Sequence, residues 1–151
     1  MAVASTIVSG ATRSDRRTKD LAKRLQPGEI AVIDHKDLDR VAAETLAEAG
    51  IVAVVNAAES SSGRYPNEGP VIVLEAGIAL VDGVGSDIMD RWEDGTLMTI
   101  DGADLVVDGE VVAHGVRQTT ESIHEIHERS RATLGAEFIR FVENTVEYLE
   151  H

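Results

Sequence analysis

Residues Asn56–Gly83 read NAAESSSGRYPNEGPVIVLEAGIALVDG, and the order of elements in this stretch decides the fold. The stretch begins at the end of an apolar strand and continues into a polar loop, Glu59–Gly69. A short apolar helix is predicted over Val71–Ala76, with Pro70 in its first turn, where the missing N–H is tolerated. A third apolar strand, Ile78–Val81, follows. This order of strand, loop, helix and strand indicates an α/β domain.

A βαβ unit precedes that stretch. Glu29–Asp34 reads EIAVID, a nearly continuous apolar run that is typical of a buried strand. We expect a helix over Asp34–Ala49, with Asp37 as its N-cap and Gly50 just beyond its end. Ile51–Asn56 is the next buried strand, and the crossover between the strands should be right-handed. The predicted apolar stripe of the helix consists of Leu38, Val41, Ala42, Thr45, Leu46 and Ala49.

The N-terminal region is less regular. Residues 1–12 are small and partly β-branched, and they predict either an edge strand or a loose segment. Ser14 or Asp15 should cap a short helix that buries Leu21 and Leu25, one helical turn apart.

After Thr96 the hydrophobic period changes to two. Before that point, Val84–Trp92 predicts a short helix or turn that Ser86 can cap. The Asp101-Gly102 and Asp108-Gly109 pairs are strong hairpin signals. They predict a β-meander with strands over residues 96–100, 104–107 and 110–114, so that the α/β body occupies residues 13–118.

A long helix should occupy residues 119–149, capped by Thr119 or Thr120. Its apolar positions recur at steps of three and four: Ile123, Ile126, Ser130, Leu134, Phe138, Phe141, Thr145 and Tyr148. Such a helix forms a homodimer or a coiled coil through residues 121–148, links to another domain, or packs on the body. The ending Leu149-Glu150-His151 resembles the start of a vector-encoded tail, in which case the natural chain is longer.

Composition limits the classes of function. Among 151 residues there is no cysteine, which excludes disulfides and thiolate metal sites. The net charge is −13, yet residues 1–27 carry six basic and two acidic side chains. The acidic body argues against nucleic-acid binding. No apolar run reaches the roughly 18 residues of a membrane span, and we expect a cytoplasmic protein.

One resemblance is architectural. Gly28-Glu29-Ile30, the loop Ser62–Glu68, the segment Gly77–Gly83 and the Asp-Gly pairs are similar to the phosphohistidine swivelling domain of phosphoenolpyruvate-utilising enzymes. The resemblance implies a swivelling β/β/α body. Glu68 stands where that family has its phosphorylated histidine, and a carboxylate cannot carry out that phosphotransfer.

A second resemblance covers nearly the whole chain. It rests on the segments Asp15–Lys19, Gly28–His35, Val54–Ala58, Ser62–Asn67 and Glu143–Leu149. These are similar to the N-terminal region of the SteA-like cytokinetic-ring proteins, also described as thiamin pyrophosphokinase-like. The resemblance implies a longer protein of bacterial cell division, with a pyrophosphokinase-like domain beyond Leu149 and membrane contact only through parts outside this chain. It implies no cofactor here, and ATP with Mg²⁺ for the full-length protein.

Two basic or polar segments are candidate ligand sites. The loop offers Ser62, Arg64, Tyr65 and Asn67, which can bind an anion or a sugar phosphate, or can serve only to satisfy turn backbone groups. The arm offers Arg16 and Arg17, with Arg13 and Lys19 nearby, as an anion site or as a solvated segment. A combined site would fold the arm over the loop and join Arg16, Arg17 and Arg64.

Two histidine motifs have alternative interpretations. Asp34 and His35 follow a buried strand and form either an acid/base pair or a helix cap. His124 and His127, among glutamates, form either a metal site or a solvated helix face.

The leading interpretation is a non-catalytic regulatory or interaction domain, with no catalytic or metal-binding residue assigned. The alternative is an accessory part of a nucleotide- or thiamin-pyrophosphokinase-type active site, completed by a missing C-terminal domain.

Overall fold

The structure, a computed structural model, describes residues 7–150 of the chain. The elements in chain order are β1 (Ile7–Ser14), α1 (Thr18–Ala22), β2 (Ile30–Ile33), α2 (Arg40–Glu48), β3 (Ala53–Asn56), α3 (Gly69–Glu75), β4 (Ala79–Asp82), a 3₁₀ turn (Ser86–Asp90), β5 (Leu97–Asp101), β6 (Asp104–Val107), β7 (Glu110–His114), β8 (Val116–Gln118) and α4 (Thr120–Glu150).

The strands form one mixed sheet in the order β7-β6-β5-β1-β2-β3-β4-β8. Strands β1 to β4 are parallel neighbours, and the helices α1 to α3 connect them. The meander β5–β7 joins this parallel part through antiparallel pairing of β5 with β1. The predicted α/β class is therefore confirmed, and the meander strands lie where the Asp-Gly pairs predicted them. The short strand β8, antiparallel to β4, was not predicted.

Strand β1 belongs to both parts of the sheet. Its first residues, Ile7–Ala11, pair with β5, and Thr12–Ser14 pair in parallel with β2. The expectation of an edge strand or a loose segment over residues 1–12 is therefore wrong for residues 7–12, while residues 1–6 lie outside the described part. The sequence did not predict the central position of β1, because most of its side chains are polar or small and only Thr12 is buried.

The core has two layers, one on each face of the parallel strands. On one face, Ala31, Ile33 and Val54 pack against leucines of the helices. On the other face, side chains of β2–β4 pack against the meander and the 3₁₀ turn. The residues of this second layer include Ile30, Val32, Val55, Val81, Ile88, Met89, Met98, Ile100 and Leu105. The meander thus folds over the parallel strands, which gives the expected β/β/α layering.

Two predicted helix starts are corrected by the structure. Helix α2 begins at Arg40, and its cap is Asp39, whose Oδ1 accepts from the Ala42 amide at 2.9 Å. Asp37 instead has a positive φ of 54°. Helix α1 begins at Thr18 after Arg17, without a side-chain cap from Ser14 or Asp15.

The burial of predicted helix residues is confirmed in part. Leu21, Leu25, Leu38 and Leu46 are buried as expected. Val41, by contrast, is 71% exposed although it lies in the predicted apolar stripe of α2.

Helix α4 is attached to the body only by its first part. Thr119 caps it as predicted, since its Oγ1 accepts from the Ser122 amide at 3.1 Å. Ile123, His127 and Ser130 are its buried residues, and every residue from Arg131 to Glu150 is exposed. Packing of α4 on the body therefore buries apolar side chains only in the first turns of the helix. No helix within residues 7–150 combines the length and the hydrophobicity that crossing a membrane requires.

The crossing of β1 between the two parts of the sheet requires a glycine. A Cβ at Gly10 would lie 2.5 Å from the Gly28 carbonyl oxygen. We expect Gly10→Ala to lower the free energy of unfolding by about 1–3 kcal/mol, because the backbone must shift. Urea denaturation measures this loss. The matched control is Gly135→Ala in α4. A Cβ added at Gly135 would have no neighbouring atom within 4 Å, so this substitution should not destabilise the protein. Equal stability of Gly10→Ala and the wild type would contradict the close approach.

Candidate functional site

A buried network of polar side chains lies at the carboxyl ends of β3 and β4. Asn56 ends β3, Asp82 ends β4, and parallel pairing brings both to the same edge of the sheet. Asn56 Nδ2 donates to Ser60 Oγ (2.8 Å), and Ser60 Oγ donates to Asp82 Oδ1 (2.6 Å). The Ser60 amide and Gln118 Nε2 both donate to Asp82 Oδ2, at 3.0 and 3.1 Å. Because a buried carboxylate requires such donors, the network fixes the start of the polar loop.

The electrostatics of Asp82 follow from this burial. Its exposed fraction is 1%. Removal from water raises the pKa of Asp82 above its ordinary value, although the hydrogen bonds from Ser60 and Gln118 act in the opposite direction. With no exposed surface to offer a ligand, Asp82 acts as a structural group.

The predicted loop residues divide into anchors and exposed side chains. Asn67 is buried, and its Nδ2 donates to the carbonyl oxygens of Leu38 and Ser60 at 2.9 and 2.6 Å. The amide and the hydroxyl of Ser62 donate to Asp37, at 2.8 and 2.9 Å. These two residues therefore hold the loop in place.

The remaining candidates of the loop lie on its surface. Arg64 is exposed, and its guanidinium forms no ion pair within residues 7–150. Tyr65 is 47% exposed, so close to half of this residue is open to solvent. Glu68 precedes α3 and lies 3.7 Å from Arg40.

The first turns of α4 lie over this loop. Ile126 Cγ2 is 3.8 Å from the position that a Cβ on Gly63 would occupy, and His127 interacts with the backbone of Asn67. Burial is the main cause that lowers the pKa of His127 below its ordinary value. Ser61 Oγ, Asn67 Oδ1 and His127 Nε2 are buried without a hydrogen-bond partner in the described part of the chain. The loop is thus in large part an attachment surface for α4, which the sequence did not indicate.

The residues of the two histidine motifs make contacts other than those that an acid/base pair or a metal site would require. His35 Nδ1 lies 2.9 Å from Thr18 Oγ1, so its ring joins the loop after β2 to α1. The cap of α2 is Asp39, and neither Asp34 nor His35 fills that position. His127 is buried while His124 is exposed near Glu128. Over residues 7–150, no group of three or more His, Asp or Glu side chains is arranged to hold a metal ion.

A cleft of about 910 Å³ lies beside α1 and α2, at the carboxyl ends of β1 and β2. Open α/β sheets commonly bind ligands at this edge. The chain contains three lysines, and all three line the cleft, together with two arginines. The charged lining residues are Arg16, Arg17, Lys19, Lys23, Lys36, Asp34 and Asp39. A surface with this excess of positive charge is unexpected in a protein of net charge −13.

The buried network also supports one wall of this cleft. Asn56 Oδ1 accepts from the His35 amide at 3.1 Å, and Asn56 Nδ2 donates to the His35 carbonyl oxygen at 2.9 Å. The loop between β2 and α2, which carries Asp34, His35 and Lys36, is thereby fixed to β3.

The structure places the predicted arginines at two different sites. Arg16 and Arg17 line the cleft, and Arg16 also forms an ion pair with Asp90 at 2.5 Å. Arg64 is not a lining residue of this cleft. Sequence reasoning identified the basic arm within residues 1–27 but missed Lys36 as its neighbour. The clustering of all lysines between residues 19 and 36 was the available signal.

Comparisons with known proteins give only remote similarity. The sequence matches no protein-family model and no curated protein. A solved structure described as a potential metal-dependent hydrolase with cyclase activity is similar at 19% identity and a TM-score of 0.43, covering 74% of this chain and 64% of that one. The chain therefore spans less than two thirds of that structure. A 3-isopropylmalate dehydratase (leuD) from Methanocaldococcus jannaschii is similar at 12% identity and a TM-score of 0.48, covering 87% of this chain and 98% of that one. Similarities this low carry no functional argument.

The raised pKa of Asp82 predicts a pH dependence of stability. Below the ordinary pKa of 3.8 the carboxyl is protonated in both the folded and the unfolded chain. Above that value the unfolded chain ionises first, so ionisation favours unfolding until the pH exceeds the folded-state pKa. We expect the free energy of unfolding of the wild type, measured relative to Asp82→Asn, to fall as pH rises through this window. Urea denaturation from pH 3 to pH 8 tests this, and a relative stability that rises over the same range would contradict it.

Proposed function

We propose that this chain is a non-catalytic interaction domain, and that its C-terminal helix associates with copies of itself. The observation that supports this most directly is the exposed apolar surface of α4 after Ser130. In the proposed setting, suggested by the segments similar to SteA-like proteins, the domain belongs to a longer thiamin-pyrophosphokinase-like protein of bacterial cell division.

The apolar surface of α4 is unusually wide. Leu134, Phe138 and Phe141 are 40%, 67% and 67% exposed. A second row, one residue further along, consists of Ile139, Val142, Val146 and Leu149, with exposures of 59%, 41%, 49% and 75%. At 3.6 residues per turn, the two rows together cover about half of the helix circumference. A face this wide is buried by more than one neighbouring helix, as in a helical bundle.

The charges on α4 favour an antiparallel arrangement of copies. The exposed part begins with Arg131 and ends with Glu143, Glu147 and Glu150. Antiparallel packing brings the basic start of one helix near the acidic end of the next, whereas parallel packing brings like charges together. The exposed part of α4 is about 30 Å long, so antiparallel overlap also separates the two bodies.

The alternative function is an accessory role in a nucleotide- or pyrophosphate-handling active site that another domain completes. The cationic cleft supports it. The two functions depend on different surfaces, because the accessory role requires cleft residues such as Arg17 and the interaction role requires the apolar face of α4.

Self-association predicts the mass of the protein in solution. The monomer mass is 16.2 kDa, and we expect light scattering after size-exclusion chromatography to give at least twice this value. The double substitution Phe138→Ser and Phe141→Ser removes the two phenylalanines of the face and should return the mass to that of the monomer. The matched control is Val111→Ser, at a residue that is 61% exposed on β7. A wild type that is monomeric at high micromolar concentration, or a double variant of unchanged mass, would contradict the proposal.

A further inference from the structure

We infer that the cleft between α1 and α2 binds a small phosphorylated molecule that also carries an apolar group. This inference concerns a different surface from the proposed self-association and does not depend on it. It rests on three properties of the cleft: its charge, its apolar wall and the fixed position of its loops.

Four cations of the cleft have no ion-pair partner among residues 7–150, and they outnumber the two carboxylates that line it, Asp34 and Asp39. The ammonium groups of Lys19, Lys23 and Lys36 and the guanidinium of Arg17 form no ion pair within residues 7–150. The carboxylate of Asp39 is engaged by the first turn of α2. A dianionic phosphate group is the ligand that several unpaired cations on neighbouring elements bind best.

One wall of the cleft is apolar. Ala22 of α1 and Val41 and Ala42 of α2 contribute apolar side chains to the lining of the cleft. Val41 is 71% exposed, and burial against the core does not explain a valine at this position. Contact with an apolar or aromatic group of a ligand would remove this surface from water. The volume of about 910 Å³ lies within the range of known small-molecule sites.

The loops that carry the cations are held in position before any ligand binds. Thr18 contacts His35, and Asn56 bonds to both backbone groups of His35. A site that is already ordered loses less entropy on binding. The net charge of −13 disfavours an anionic membrane surface as the source of the phosphate, and we therefore assign a soluble ligand.

The lysines provide a direct readout of binding. Reductive methylation with ¹³C-formaldehyde keeps the charge and labels the three lysines and the N-terminal amine. We expect phenyl phosphate to shift the resonances of all three lysines with a single dissociation constant. Inorganic phosphate should shift them with weaker affinity, and phenol should bind more weakly than phenyl phosphate.

Substitutions separate the two parts of the site, measured by calorimetry with unmodified protein. Arg17→Ala should weaken the binding of phenyl phosphate about tenfold, the loss expected for one charged hydrogen bond. Val41→Ser should weaken phenyl phosphate severalfold and leave inorganic phosphate unchanged. The matched controls are Arg40→Ala and Val111→Ser, at exposed residues that do not line the cleft, and both should bind as the wild type does.

Three results would overturn the inference. The first is the absence of saturable binding of phenyl phosphate up to 10 mM, or equal binding by Arg17→Ala. The second is equal affinity for phenyl phosphate and inorganic phosphate, which would leave the apolar wall without a role. The third is binding of the chain to phosphatidylglycerol vesicles without binding to phenyl phosphate, which would assign the cations to a membrane surface.

Discussion

The burial of Asp82 is the constraint on which the carboxyl edge of the sheet depends. A buried carboxyl group at the end of β4, the outermost parallel strand, must be satisfied by donors, and Ser60 and Gln118 supply them. Ser60 brings the polar loop to β4, and Gln118 brings β8. Gln118 Oε1 also accepts from Ser122 Oγ at 2.7 Å, which connects the network to the first turn of α4. One buried carboxyl group thus helps to determine where the loop, the last strand and the long helix begin.

This constraint explains why the polar loop is not itself the site that its composition suggests. The polar side chains of the loop donate hydrogen bonds within the protein: Ser60 to Asp82, Ser62 to Asp37, and Asn67 to backbone carbonyl oxygens. Hydroxyl and amide groups concentrated in a loop are equally typical of ligand sites and of loops that must be anchored, and only the partners distinguish the two cases. Here the partners come from β4 and from the segment before α2. The loop therefore supports α4 on one side and, through Asn56 and His35, the cleft on the other.

Local patterns predicted the elements, whereas long-range partners decided their arrangement. The apolar runs of β2 and β3, the Asp-Gly hairpins and the Thr119 cap were visible because each depends on residues close in sequence. The central position of β1 was not, since its partners Ile30–Val32 and Leu97–Asp101 are distant and its own side chains are mostly polar or small. For the same reason the sequence identified Arg16 and Arg17 as a basic arm but did not bring Lys36 or Val41 to them.

The body presents two surfaces: a cationic cleft and a helix whose apolar face has no partner within the described chain. We propose that further copies of the chain cover residues 131–150. Hydrogen exchange followed by mass spectrometry, at several protein concentrations, tests this claim most directly. We expect the amides of residues 134–149 to become more protected as the protein concentration rises, while those of residues 120–130 are protected equally at every concentration. Rapid exchange of residues 134–149 that does not change with concentration would contradict the proposal.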